Sequence, residues 1–129
     1  MDRAQADMNG IIVIDKPKGL TSAKVVSIVK KALKAKKVGH AGTLDPFAEG
    51  VLICCINQAT RLAEFLLRGT KKYIAELKLG EETDTQDLTG TVIAAAELEN
   101  YSIETLQKVF KTFEGPLEQL PPVYSALKH

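Results

Sequence analysis

Asp45 is the residue best placed for chemistry in this sequence. It lies in Gly39-His40-Ala41-Gly42-Thr43-Leu44-Asp45-Pro46-Phe47-Ala48-Glu49-Gly50-Val51-Leu52. That stretch packs three glycines, a proline, a histidine and two carboxylates into a turn-prone segment running into an apolar strand. Turns at the mouth of a strand are where folds tend to hold catalytic groups. Pro46 biases Asp45 toward an extended backbone and away from helix, and Gly42 allows a sharp turn ahead of it. An aspartate carboxylate is ionised near neutral pH and can act as a nucleophile without first losing a proton. Spacing alone leaves open a plainer reading, an Asp that only caps a turn.

Competing site types do not fit. One histidine and scattered acids do not make a zinc set. The glycine pattern lacks the Lys-Ser/Thr of a phosphate-binding P-loop and lacks G-x-G-x-x-G. No G-x-S-x-G elbow is present. The sequence gives no sign of a metal, nucleotide or flavin, so no cofactor is expected.

The elements that must position Asp45 are legible from periodicity. Ile11 to Ile14 reads as a short apolar strand and Asp15-Lys16-Pro17-Lys18-Gly19 as a turn. Thr21 or Ser22 can cap the helix that follows. In it Val25, Ile28, Val29, Ala32 and Leu33 share one face, with Lys24, Lys31 and Lys34 opposite. Val51 to Ile56 reads as a strand, and Thr60 as the cap of a short helix holding Leu62, Phe65 and Leu66. Lys72 to Leu79 alternates, with Tyr73, Ala75, Leu77 and Leu79 on one side, and predicts a half-buried strand. The acidic loop Gly80–Gly90 leads to a strand near Thr91–Ala96. Ser102 caps a last helix with Ile103, Leu106, Val109, Phe110 and Phe113 inward. Pro121-Pro122 ends it before Val123-Tyr124-Ser125-Ala126-Leu127 starts another strand. The expected core gathers Val25, Val29, Leu52, Leu77, Leu106 and Phe110.

Strands and helices mix without the alternation of a doubly wound sheet. The expectation is an α+β (mixed α/β) fold, a mixed, largely antiparallel sheet flanked by helices. Residues 1–9 read as a flexible N-terminus and 10–129 as one domain or a piece of one. The chain stops at His129 inside a predicted strand, so part of a longer protein is expected to be missing.

The 45% apolar content suffices for a core, mainly aliphatic, with four Phe, three Tyr and no Trp. No apolar run reaches the length of a membrane span, and the first residues lack a signal-peptide run. The adjacent Cys54 and Cys55 read as small core residues in a reducing compartment. A cytoplasmic location is expected. The net charge of +1 hides an asymmetry: residues 1–40 hold nine Lys/Arg and three Asp/Glu, residues 81–120 two and nine. Eight lysines and no acid lie between Lys16 and His40. Such a basic surface suits a polyanion such as RNA, though a solvated helix face explains it equally well.

G-H-A-G-T-L-D-P-F-A-E-G-V-L closely resembles the catalytic-aspartate loop of the TruB family of pseudouridine synthases. Four more stretches match in order. Gly10–Ser22, G-I-I-V-I-D-K-P-K-G-L-T-S, is similar to the family's N-terminal K-P motif. Lys72-Tyr73 with Leu79-Gly80 resembles its tyrosine-bearing strand, and Thr83–Gly90 its T-D-T-x-D-x-x-G loop. Gln119–Lys128, Q-L-P-P-V-Y-S-A-L-K, resembles its Q-x-P-P-x-Y-S-A-x-K segment. The resemblance implies the bacterial type, which isomerises uridine-55 in the tRNA T-loop, with Asp45 as catalytic nucleophile on a flipped-out uridine.

By the same resemblance Tyr73 stacks on the flipped uracil, His40 fills the opened T-loop, and Asp87 contacts a neighbouring flipped nucleotide. Lys16, Pro17 and Gly42 shape the site. Charge assigns Lys24, Lys31 and Lys34 to the RNA backbone. The implied partner is tRNA through its T-arm, with no membrane and no metal, acting as a monomer. The family's arginine partner for the aspartate and its C-terminal RNA-binding extension lie beyond position 129, so this chain alone is expected to be inactive. Two alternatives are a noncatalytic tRNA-binding or remodelling module and a guide-RNA-dependent synthase subunit. An ionised carboxylate facing a polyanion would only repel phosphate in a pure binding module, which favours the enzyme.

Overall fold

A run of β-branched residues, Ile-Ile-Val-Ile, starts the first strand, β1 (Gly10–Lys16). The computed structural model describes residues 8–118 and 120. Alternation along β1 sends Ile12, Ile14 and Lys16 to one face, toward the core, and leaves Ile11 and Val13 exposed. The strand runs two residues past the predicted one and takes in Asp15 and Lys16, which the sequence assigned to a turn. Both gain ladder partners, Val51 and Gly50.

Helix α1 (Ser22–Ala32) begins where the Thr21 hydroxyl accepts from the Lys24 amide at 3.1 Å. Val25 and Val29, one turn apart, are buried against the sheet. The helix ends in a Schellman turn. Lys34 takes a left-handed backbone, φ 50°, while the Ala35 amide reaches back to Lys30 O and the Lys34 amide to Lys31 O. Lys34 therefore sits past the helix, correcting its expected place on the helical face opposite Val25.

Strand β2 (Val38–His40) and strand β3 (Gly50–Ile56) complete a three-stranded sheet in the order β1-β3-β2, antiparallel throughout. β3 lies in the middle and carries Leu52, Cys54, Cys55 and Ile56, all buried. Val25, Val29, Leu52 and Cys54 form the core, with Ile12, Ile14, Leu20, Val38 and Leu44 packed around them. Both thiols are free, and burial raises their pKa values. A 3-10 helix (Asn57–Leu62) then runs into α2 (Ala63–Leu67). Thr60 lies inside the 3-10 turn and donates to Asn57 O at 2.8 Å, so it is not the predicted helix cap. Met8 and Asn9 are tied to the same turn through Asn57 and Gln58.

The chain divides into two units after Tyr73. In the second unit β4 (Glu81–Thr83) and β5 (Val92–Ala95) pair antiparallel, with a bulge at Glu82/Thr83. Helix α3 (Ile103–Lys111) starts as predicted, with the Ser102 hydroxyl accepting from the Thr105 amide at 3.1 Å.

Two expectations fail here. Residues 72–79 form no strand and are exposed, because no described strand lies alongside to take up their hydrogen bonds. Alternation supplies a face but not a ladder partner. Secondly, the apolar face of α3 stays exposed, Phe110 at 57%. Leu77 and Phe110 are thus outside the core that Val25, Val29 and Leu52 do form, and Leu106 is only partly covered. The predicted strand at 123–127 and its Pro-Pro stop lie outside the described residues, as does nearly all of the Gln119–Lys128 motif. No described helix is long and apolar enough to cross a membrane.

Candidate functional site

The loop between β2 and β3 is held at both sides of Asp45. Immediately before it, the Leu44 side chain packs on the core. The Leu44 amide donates to Ser22 Oγ at 2.9 Å, and the same hydroxyl donates to Leu44 O at 3.0 Å. Immediately after it, Pro46 O accepts from the Gly19 amide at 2.7 Å and from Lys16 Nζ at 3.4 Å. Asp45 itself opens a tight turn in which its carbonyl accepts from the Ala48 amide at 3.0 Å. Asp at the first place of a turn and Pro at the second is the pattern such turns favour.

The result is an exposed Asp45 side chain on a backbone fixed to β1, to the β1–α1 turn and to the start of α1. No hydrogen bond or ion pair among the described residues engages its carboxylate. Gly42 and Gly50 bracket the loop with φ of 115° and 119°, a region that a side chain would strain.

Lys16 is fully buried, and its ammonium donates to Pro17 O at 3.0 Å, Leu20 O at 2.7 Å and Pro46 O. These three carbonyls exhaust its donors. The K-P motif is therefore a brace joining the β1 end to the Asp45 loop. Ser22 is a residue that sequence reasoning missed. A Ser after a Thr at a helix start reads as a second cap, but Thr21 does all the capping and Ser22, 3% exposed, turns to the loop.

His40 ends β2 opposite Cys54, half-buried, and its Nδ1 donates to Gly42 O at 2.5 Å. The ring is thereby oriented by the loop that carries Asp45. Tyr73 closes the first unit in an irregular segment and is 69% exposed, so it is no core residue. No described hydrogen bond links Tyr73 to Asp45 or His40.

Asp87 belongs to the second unit, in the turn between β4 and β5. Its Oδ1 accepts from Thr89 Oγ1 at 2.6 Å, Thr85 Oγ1 at 2.7 Å and the Thr89 amide at 2.8 Å. These bonds, first that from the Thr89 hydroxyl and then that from Thr85, hold its carboxyl below the ordinary aspartate value. A Cβ at Gly90 would collide with the Thr85 hydroxyl and the Asp84 carboxylate, which explains glycine there. The T-D-T-Q-D-L-T-G stretch is a polar loop folded on itself.

Lys24 and Lys31 are exposed on α1 and Lys34 just beyond it. A second basic cluster was not legible in the sequence. Lys36, Lys37 and Arg61, with Asn9, Asn57, Gln58 and Thr60, line an open cavity of about 350 Å³. There the Asn57 amide donates to Lys37 O at 2.8 Å, and the Lys37 amide donates to Asn57 Oδ1 at 3.0 Å. Among the described residues no three His, Cys, Asp or Glu side chains converge as a metal site requires.

Residues 30–129 match the family model of the "TruB family pseudouridylate synthase (N terminal domain)". The chain is 52% identical over 121 residues to the tRNA pseudouridine synthase B of Alkaliphilus oremlandii, covering 94% of this chain and 40% of that one. With the protein of the same name from Francisella philomiragia it shares 46% over 130 residues, covering 100% and 43%. Among solved structures, the crystal structure of a Cbf5-Nop10-Gar1 complex contains a chain that is 33% identical, at a TM-score of 0.60, covering 92% of this chain and 31% of that one. The chain thus spans about two fifths of the length of these curated relatives. The match runs through the Asp45 loop and its strand, and it rests on more than half of the sequence: the chain belongs to the TruB family of pseudouridylate synthases.

Proposed function

We propose that this chain supplies the N-terminal catalytic portion of an enzyme that isomerises uridine to pseudouridine at position 55 of the tRNA T-loop, with Asp45 as nucleophile. The observation that carries the reading is the exposed Asp45 side chain on a backbone fastened at the residues before and after it. A nucleophile held this way loses little freedom when substrate arrives. The names of the relatives support tRNA as the substrate.

The chemistry is an internal transfer. Asp45 attacks the uridine at a ring carbon of the base or at C1′ of the sugar. The N1–C1′ bond breaks, the base turns, a C5–C1′ bond forms, and the bond between Asp45 and the attacked carbon breaks to return the free carboxylate. C5 gives up its hydrogen as a proton and N1 takes one up, so the atoms and electrons of uridine are conserved. No oxidant, reductant or external energy source enters.

The base must leave its stack to be reached, at a cost of a few kcal/mol. Tyr73, exposed, offers a ring for the flipped uracil. His40, oriented by Gly42 O, fills the opened T-loop. Asp87 contacts a neighbouring flipped nucleotide through the oxygen its own loop does not bind. Lys24, Lys31 and Lys34, with the cluster of Lys36, Lys37 and Arg61, face the phosphates.

The test is full-length protein incubated with an unmodified tRNA transcript, followed by chemical mapping of pseudouridine. The expected product lies at position 55 alone, and a transcript with cytidine there yields none. Tight tRNA binding without product would favour a remodelling module. Product only when a guide RNA is added would favour the guide-dependent reading.

A further inference from the structure

We infer that Ser22 is a positioning residue for the reaction: its hydroxyl sets the place of the Asp45 carboxylate by gripping both backbone groups of Leu44. The inference rests on the reading of Asp45 as nucleophile. Ser22 Oγ accepts from the Leu44 amide at 2.9 Å and donates to the Leu44 carbonyl at 3.0 Å, across 22 residues of sequence. Two bonds to the N–H and C=O of one residue fix the peptide planes on both sides of its Cα. The plane on the far side is the one that enters Asp45.

Ser22 is itself immobile. It is the first residue of α1, whose cap is already supplied by Thr21, and α1 is anchored by Val25 and Val29 in the core. Ser22 is only 3% exposed, so water does not readily replace its hydroxyl. Leu44 is held a third time by its side chain in the same core. Lys16 and Gly19 grip Pro46 on the other side, which leaves the Leu44 side of Asp45 dependent on Ser22 alone among the described polar side chains.

A misplacement of about 1 Å can cost about a hundredfold in rate without touching the reacting groups. Loss of the Ser22 hydroxyl should therefore act on the chemical step and spare RNA binding, since Ser22 is buried and presents nothing to phosphate.

The experiment compares Ser22→Ala, Ser22→Cys and Ser22→Thr in the full-length protein with Asp45→Asn and wild type. Single-turnover rates, tRNA affinity and thermal melting are measured on each. Expected are a rate loss of about 10- to 100-fold for Ser22→Ala, unchanged tRNA affinity, and recovery of most of the rate in Ser22→Thr, which restores the hydroxyl. Ser22→Cys keeps the volume but is a weak donor and acceptor, so it should behave as Ser22→Ala, and it serves where the alanine variant fails to fold. Wild-type single-turnover rates in folded Ser22→Ala or Ser22→Cys, with only melting lowered, would overturn the inference and make Ser22 purely structural. An active Asp45→Asn would instead sink the nucleophile reading on which it stands.

Discussion

Lys16 and Pro46 are thirty residues apart in sequence, yet the buried Lys16 ammonium lies 3.4 Å from the Pro46 carbonyl oxygen. The same ammonium binds Pro17 O and Leu20 O, so one side chain ties the end of β1, the turn after it and the Asp45 loop together. A buried lysine is tolerable only when its donors are satisfied, and here backbone carbonyls do this without a carboxylate.

Replacing Lys16 by Met keeps the aliphatic stem but leaves three carbonyls without their donor. Stability should fall by about 1–3 kcal/mol, read by urea denaturation of the full-length protein. A midpoint equal to wild type would show that the loop is held by Gly19 and Ser22 without it.

Tyr73→Leu tests stacking separately from folding. Tyr73 is largely exposed, so melting should shift by no more than about 0.5 kcal/mol equivalent. Activity on tRNA should fall about 5- to 150-fold, the equivalent of the roughly 1–3 kcal/mol of one base–aromatic stack. Wild-type turnover by this variant would remove Tyr73 from the site.

Joint replacement of Lys24, Lys31 and Lys34 by Gln should weaken tRNA binding and flatten its salt dependence. For every one of the three that neutralises a phosphate, the slope of log affinity against log salt should shrink by about 0.7–0.9. An unchanged slope would return all three to a solvated surface.

Asp87 should titrate below the ordinary aspartate value of 3.8. The sign follows from its hydrogen bonds. Hydroxyl and amide donors favour the ionised form, so its contribution to the β4–β5 turn is present above 3.8 and is lost as pH falls through the lower folded value. Carboxyl-carbon NMR gives the midpoint, and Thr89→Ala should move it upward. A wild-type midpoint at or above 3.8 would contradict the hydrogen-bonded loop.

What was legible in the sequence was local. Val25 and Val29 one turn apart, the Thr21 cap and the apolar run of β3 place α1 and the central strand correctly. The antiparallel, mixed α/β character was equally readable. β2 was not, because Val-Gly-His is too short to show alternation and its existence depends on pairing with Cys54 to Ile56. The stretch 72–79 shows the reverse case, clear alternation without a described partner strand. At the site, Asp45 stood out through its own loop. Ser22 and Lys16 act on that loop from 22 and 30 residues away, and no spacing rule reports a bond of that range.

The proposed reaction turns on Asp45 as the nucleophile, and Asp45→Asn tests it most directly. The variant keeps the size of the side chain and the turn begun by Asp45-Pro46, while removing the charge that attacks. Tritium release from tRNA labelled at C5 of uridine is followed beside a tRNA-binding assay, both on full-length protein. The expected result is no release above background with tRNA binding retained. Turnover comparable to wild type by the asparagine variant would contradict the nucleophile role.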